Sequence, residues 1–139
     1  MLPAKPFRLA VKAVILDEHN RCLLLRRSSA NKNFAGYWEW PGGKVDEGED
    51  FATALHREAL EETGLGVEIT AHAGSTTFEM AHAQIVVLCL EARVLSGTLR
   101  LSDEHDDFVW APLPELARWP STPAVDAFML DYARRKQSS

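Results

Sequence analysis

One short segment concentrates the side chains of this chain that are able to do chemistry. It spans residues 42–65, GGKVDEGEDFATALHREALEETGL, and is called the acidic segment below. At 100° per helical residue, Glu58, Glu61 and Glu62 fall within one arc of about 100°. Like charges this close repel each other, and a divalent cation reverses the sign of that interaction. Hard oxygen ligands fit Mg2+ best, with Mn2+ as the alternative. The segment therefore indicates a metal site, and an ordinary solvated acidic helix is the alternative.

The acidic segment is expected to be a loop followed by a helix. The helix is predicted over residues 50–63, because Asp50 suits the N-cap and Gly64 suits the left-handed position past the end. Arg57 is able to hold one carboxylate by a bidentate pair. Glu49, at the helix start, is placed to be that partner or a further metal ligand.

Three large aromatic rings precede the acidic segment. Tyr37, Trp38 and Trp40 lead into Pro41, and strand alternation sends Trp38 and Trp40 to the same face. Each ring is able either to fill the core or to stack on a base, and core packing is the more common role of a single aromatic residue. At least one of the three is expected in the core.

The other elements are predicted from apolar runs and turn residues. Residues 8–16 and 21–27 resemble the two strands of a hairpin joined by a polar turn. Further strands are predicted over residues 66–78 and 83–95, and helices over residues 113–119 and 122–136.

The spacing within the acidic segment resembles the signature of the Nudix hydrolases, which cleave nucleoside diphosphates linked to another moiety. Gly43, five residues, Glu49, seven residues and then REALEETGL match its seven fixed positions. The one departure is Ala59, where the signature favours a larger aliphatic residue. The resemblance implies an α/β fold, the Nudix α/β/α sandwich with a mixed β-sheet between helices. The length of 139 residues fits a single domain over residues 1–139.

The resemblance also implies roles for individual side chains, following the MutT-type pattern. Glu58 is the expected general base, with Arg57 beside it in the catalytic group, and Gly43 and Glu49 support the loop. The expected metal ligands are one backbone carbonyl and four carboxylates: Gly42, Glu58, Glu61, Glu62 and Glu104.

Glu104 enters that set because MutT-type members carry a carboxylate six positions before a tryptophan, and Glu104 stands six before Trp110. Its neighbours Asp103 and His105 are alternatives for the same place. An ordinary solvated loop is the other interpretation of residues 102–107.

Substrate contacts are also expected from the resemblance. Trp40 directly precedes Pro-Gly-Gly and is the candidate to stack on a base, and Arg26 and Lys44 are further substrate-binding candidates. Residues 38–44, WEWPGGK, resemble MutT-like nucleoside triphosphate pyrophosphohydrolases, which release a monophosphate and pyrophosphate. The asparagine that reads oxidised guanine there has no counterpart in residues 119–123, so 8-oxo-dGTP specificity does not follow.

Two other functions stay open. Residues 23–28, LLLRRS, with Gly36 and Pro-Gly-Gly resemble the upstream motif of coenzyme A pyrophosphatases, although Leu25 and Lys32 depart from it. A Nudix-fold sensor that binds a nucleotide without cleaving it is the alternative from another class. Such modules usually lack signature carboxylates, and here all of them are present.

The composition of the chain limits its possible binding partners and its compartment. The net charge of −5 argues against a nucleic-acid polyanion, while a small nucleotide is able to reach an acidic pocket as its metal complex. Cys22 and Cys89 lie in apolar runs and are predicted to be buried, unreactive thiols. No apolar run suits a signal peptide or a membrane span, so a cytoplasmic protein without a membrane partner is expected, as a monomer or homodimer.

Overall fold

Seven strands and two α-helices make up the described chain. The computed structural model describes residues 4–138. The strands are β1 Phe7–Ile15, β2 Arg21–Arg27, β3 Trp38–Glu39, β4 Gly42–Lys44, β5 Leu65–Glu79, β6 Gln84–Gly97 and β7 His105–Pro112. Helix α1 is Phe51–Thr63, a short 3-10 helix is Leu113–Arg118, and α2 is Pro123–Ser138.

Helix α1 begins and ends where the sequence predicts. The Asp50 side chain accepts a hydrogen bond from the backbone N–H of Thr53, which satisfies an amide that the helix itself leaves unpaired. Gly64 ends the helix at φ +74°, and its N–H donates to the carbonyl of Leu60. A side chain is strained at this left-handed φ, so glycine suits the position.

The strands form two sheets. The first is mixed, in the order β4-β1-β6-β5, with β1 parallel to β6 and the other pairs antiparallel. The second is antiparallel, in the order β3-β2-β7. The α/β architecture with a mixed sheet is confirmed, and the second sheet is an addition to it.

The hairpin predicted for residues 8–16 and 21–27 does not form. Only the bridge between Leu16 and Cys22 joins these stretches, after which β1 and β2 pair with different strands. The second half of β1 and the middle of β2 are buried on both faces: Val14 and Ile15, and likewise Leu23 and Leu24, are 0% exposed and pack in different clusters. Strands buried on both faces suit the interior of a sheet, and each of these two has a neighbouring strand on either edge.

The two helices cover opposite faces of this sheet layer. Consecutive residues of β2 point to opposite sides, so Leu23 packs in one apolar cluster with Leu55 of α1 while Leu24 packs in another with Met129 of α2. The resulting order of helix, sheets and helix is the expected sandwich. It leaves the loops at the strand ends to build the site.

Two smaller expectations also meet the structure. Cys22 and Cys89 are buried as predicted, and burial raises the pKa of the Cys22 thiol to about 11 and that of Cys89 to about 12. Within residues 4–138, no helix is both long and apolar enough to cross a membrane.

Candidate active site

A cleft of about 360 Å³ brings the acidic segment together with strands of both sheets. Its polar lining includes residues of the acidic segment, of β1, β2 and β3, and of the loop before β7: Gly42, Gly43, Lys44, Glu62, Lys12, Arg27, Glu39 and Glu104. Its apolar lining includes Leu9, Phe34, Phe78, Met80, Ile85 and Val87. One cavity therefore holds carboxylates, cations and an apolar wall.

Two glycines let the backbone of β4 pass closely between β1 and α1. A Cβ atom on Gly42 would lie 2.0 Å from the carbonyl oxygen of Val11, and one on Gly43 would lie 2.7 Å from a carboxylate oxygen of Glu58. The N–H of Gly42 donates to Oε1 of Glu62 at 2.8 Å. These close approaches account for the glycines, while coordination of metal by the Gly42 carbonyl stays a prediction.

Arg57 is fully engaged by its own segment. Its Nε and Nη2 donate to the two oxygens of Glu49, at 2.7 and 2.9 Å. Nη1 donates to Glu58 and Glu61, at 3.1 and 3.3 Å, and the remaining Nη2 hydrogen goes to the carbonyl of Lys44. A guanidinium has five N–H donors, and these bonds use all five. These bonds let Arg57 position Glu49 and Glu58, while its predicted place in the catalytic group stays a prediction.

Glu62 differs from the other carboxylates of the segment because it is buried without a directly bonded cation. Burial raises its pKa to about 8, against the lowering effects of Lys12 and of the Gly42 N–H. The pKa of Glu58 is also raised, again chiefly by burial, although Arg57 opposes the shift. A bound cation would stabilise both carboxylates in their charged form.

Glu62 and two further residues bring possible metal-ligand atoms close together. A carboxylate oxygen of Glu62, one of Glu104 and a ring nitrogen of His105 all lie within 4.8 Å of one another. Two carboxylates and an imidazole are ligands that suit a divalent cation, and the buried Glu62 supplies a charge for such an ion to neutralise. The residues present therefore fit a metal.

Two other predicted ligands lie less centrally. Glu61 is exposed and is held by Arg57, and it does not belong to the group that Glu62 forms with Glu104. Asp103, the alternative in the loop, uses its carbonyl oxygen to accept from the hydroxyl of Ser28. A metal contact from Glu61 or Glu58 stays a prediction.

A buried ionic network next to the cleft was not identified from sequence. Glu39 is 8% exposed, and its carboxylate accepts from Arg27 at 3.2 Å, from Lys12 at 3.4 Å and from Nε2 of His105 at 2.8 Å. Burial alone would raise the pKa of Glu39, but Lys12, His105 and Arg27 together lower it to about 2. The available signal was Lys12, a charge inside the apolar run RLAVKAVIL.

Trp40 corrects the prediction of a stacking residue. It is 2% exposed and lies edge-on to the rings of Phe128 and Tyr132, at centroid distances of 6.3 and 5.6 Å. Its face is covered by α2, so the ring fills core and is unable to stack on a substrate. The expectation that at least one of the three aromatic residues lies in the core is confirmed.

Arg26 also lies elsewhere than predicted. Its Nε donates to Asp106 at 2.7 Å and its guanidinium sits 5.8 Å from the Trp38 ring, away from the cleft lining. Its neighbour Arg27 lines the cleft instead, because successive strand residues alternate and the β2–β7 register shifts between the two arginines. Lys44 does line the cleft, and its contact with substrate stays a prediction.

Comparisons with known proteins point to one family. The family model described as NUDIX domain matches residues 6–132. A CTP pyrophosphohydrolase from Escherichia coli (strain K12) is 32% identical over 131 residues, covering 91% of this chain and 96% of that protein. An 8-oxo-dGTP diphosphatase from Proteus vulgaris is 37% identical over 67 residues, covering 48% of this chain and 58% of that protein.

Solved structures agree with the sequence relatives. The crystal structure of a MutT protein from Methanosarcina mazei Go1 superimposes with a TM-score of 0.85 at 29% identity, covering 99% of this chain and 100% of that chain. The similarity therefore extends over both sheets and both helices, well beyond the acidic segment.

Proposed function

This chain belongs to the Nudix hydrolase family and is a pyrophosphohydrolase of nucleotide substrates, and we propose that it cleaves nucleoside triphosphates to monophosphate and pyrophosphate with a bound divalent metal, Mg2+ or Mn2+. The observation that carries the proposal is the joint lining of one cleft by the acidic group and by an apolar wall. The acidic group suits a metal–phosphate complex, and the apolar wall suits a base.

The apolar wall takes the place that Trp40 was predicted to fill. Leu9, Phe34 and Met80 are 43%, 48% and 53% exposed, although all three are large apolar side chains. Phe34 offers a ring face to stack on a base, and Phe34 itself packs edge-on against Tyr37 at 5.7 Å. Stacking accepts any base, so this wall supports a nucleotide substrate without favouring one base.

Two cationic side chains of the cleft are placed to bind the phosphates of the substrate. Lys12 and Arg27 line the cavity, and Glu39 forms an ion pair with each of them. An ammonium group has three donors, and Lys12 directs two of them to Glu39 and to the carbonyl of Trp40. The orientation of these cations by Glu39 supports binding of the terminal phosphates, which leave as pyrophosphate.

Glu58 is assigned the role of general base, which takes a proton from the attacking water. Glu62 and Glu104 would hold a divalent cation, which would neutralise phosphate charge and lower the pKa of the attacking water. Glu58 accepts a proton from that water, since burial raises its pKa towards the range in which a carboxylate is an effective base. Arg57 orients Glu58 through the bond at 3.1 Å.

One substrate screen tests the proposal. The purified protein with Mg2+ would be offered ribo- and deoxyribonucleoside triphosphates, coenzyme A and ADP-ribose, and the products would be identified by chromatography. We expect monophosphate and pyrophosphate from the triphosphates. Preferential cleavage of coenzyme A would favour the alternative conjugate pyrophosphatase, and nucleotide binding without any cleavage would favour a sensor.

A further inference from the structure

We propose that His105 is itself a metal ligand, so that the site combines the carboxylates of Glu62 and Glu104 with one imidazole nitrogen. This inference rests on the proposed metal-dependent function and deepens it. A nitrogen ligand shifts the preference of a site from Mg2+ towards Mn2+ and later first-row ions, because Mg2+ prefers oxygen ligands. The expected ion therefore changes from Mg2+ to Mn2+.

The geometry of the three donors supports a shared ion. A ring nitrogen of His105 and one carboxylate oxygen each from Glu62 and Glu104 are mutually within 4.8 Å. Metal–ligand bonds of about 2.0–2.2 Å place the ligands of one ion up to about 4.4 Å apart, so a small adjustment of side chains is sufficient.

The hydrogen bonding of His105 assigns which nitrogen is available. Nε2 lies 2.8 Å from Oε2 of Glu39, and Oε1 of the same carboxylate accepts from Lys12 and Arg27. A carboxylate that serves as the acceptor for both cations requires Nε2 to carry the hydrogen, which leaves Nδ1 as the nitrogen whose lone pair is able to bind a cation. A ligating histidine typically donates its other ring N–H to a carboxylate in this way.

Nδ1 has no internal use. The side chain of His105 is 1% exposed, and Nδ1 has no hydrogen-bond partner among residues 4–138. A buried polar atom without a partner costs free energy, and coordination of a cation removes that cost. Glu39 is accordingly a positioning residue that fixes the ring rather than a ligand.

The test uses the full chain loaded with Mn2+ and pulsed electron paramagnetic resonance, which detects nitrogen bound to the ion. We expect a ¹⁴N coupling in the wild type that becomes a ¹⁵N coupling when only the histidines are ¹⁵N-labelled. His105→Gln should abolish the coupling and weaken Mn2+ binding at least roughly tenfold, with a smaller change for Mg2+. His72→Gln, an exposed histidine on β5, is the matched control and should retain the wild-type signal and affinity.

The labelling experiment needs no variant, so it decides the matter even where His105→Gln fails to fold. Bound Mn2+ without histidine nitrogen coupling in the wild type would overturn the inference and leave the proposed hydrolysis intact. A coupling that persists in His105→Gln and disappears in His72→Gln would also overturn it. Absence of any Mn2+ or Mg2+ binding would overturn the proposed metal-dependent function as well.

Discussion

Glu49 and Glu62 lie at opposite ends of the acidic segment and differ in what balances their charge. Hydrogen bonds from Arg57, and one from the backbone N–H of Asp46, lower the pKa of Glu49 to about 2. Glu62 is buried, only the Gly42 N–H is bonded to it among residues 4–138, and burial raises its pKa to about 8. A carboxylate whose charge is matched within the protein acts as scaffold, whereas one that is not matched needs a ligand from outside.

Two aromatic residues show the same contrast between a group that is satisfied inside the protein and one that is exposed. Trp40 is buried against rings of α2, while Phe34 lines the cleft and is 48% exposed. Groups satisfied inside the protein hold the site together, and unsatisfied groups are the ones that meet a substrate or a metal. Removing the metal, or replacing a satisfied or an unsatisfied side chain, therefore tests this contrast.

Removal of the metal is expected to have the largest effect. Excess chelator should reduce pyrophosphate release from every nucleotide to background, because it removes the ion that would bind at Glu62 and Glu104 and neutralise the phosphate charge. Pyrophosphate release measured before and after adding back Mg2+ or Mn2+ checks this. Full turnover in chelator would contradict the metal mechanism and the contrast with Glu49.

Glu58→Gln is expected to lower kcat by roughly 10²–10⁴ through loss of the general base. Glutamine keeps an oxygen to accept from Arg57, so folding should be retained. Steady-state kinetics and thermal unfolding measure the two effects. The matched control is Glu47→Gln, an exposed carboxylate of the same segment; a near wild-type kcat for Glu58→Gln would transfer the role to another carboxylate.

Phe34→Ala and Trp40→Leu should divide binding from stability. Loss of stacking by Phe34 is worth roughly 1–3 kcal/mol, or about 5- to 150-fold in KM for a triphosphate, with little change for a diphosphate compound lacking a base. Trp40→Leu should instead reduce the free energy of unfolding by roughly 2–4 kcal/mol, since it leaves a cavity in the core. Kinetics with both substrates and urea unfolding distinguish the variants, and equal impairment of both substrates by Phe34→Ala would argue against a base wall.

Glu62→Gln should flatten the dependence of stability on pH in metal-free protein. The folded pKa of Glu62 is about 8 against an ordinary 4.5, so the folded chain keeps a proton that the unfolded chain loses. The free energy of unfolding therefore falls as pH rises from about 4.5 to about 8, by at most about 1.4 kcal/mol per pH unit from this group. Urea unfolding in chelator across this window should show the variant gaining on the wild type as pH rises.

Glu49→Gln is the control for that experiment, because the pKa of Glu49 is shifted in the opposite direction from that of Glu62. The pKa of Glu49 is lowered to about 2, so its contribution to stability is present above pH 4.5 and is lost as pH falls towards 2. The variant should therefore be less stable across the whole window from about 4.5 to 8, with an unchanged slope. Parallel curves for Glu62→Gln and wild type would contradict the unmatched charge at Glu62.

The sequence alone determined the local features of this protein. The span and both caps of α1 follow from Asp50, Gly64 and the helical spacing between them, because capping and periodicity act within a few residues. The spacing of the acidic segment also determined the family, which the matched residues 6–132 confirm. Burial of the two cysteines followed from their apolar surroundings.

Only the tertiary structure decided which of these residues face the cleft. Trp40 and Arg26 carry suitable chemistry, but α2 covers the first and the β2–β7 register turns the second outward. Lys12, Glu39 and His105 come from three separate strands and meet only when the two sheets assemble. Local alternation of apolar residues determines which residues share a face of a strand, but it does not determine which distant strand becomes the neighbour.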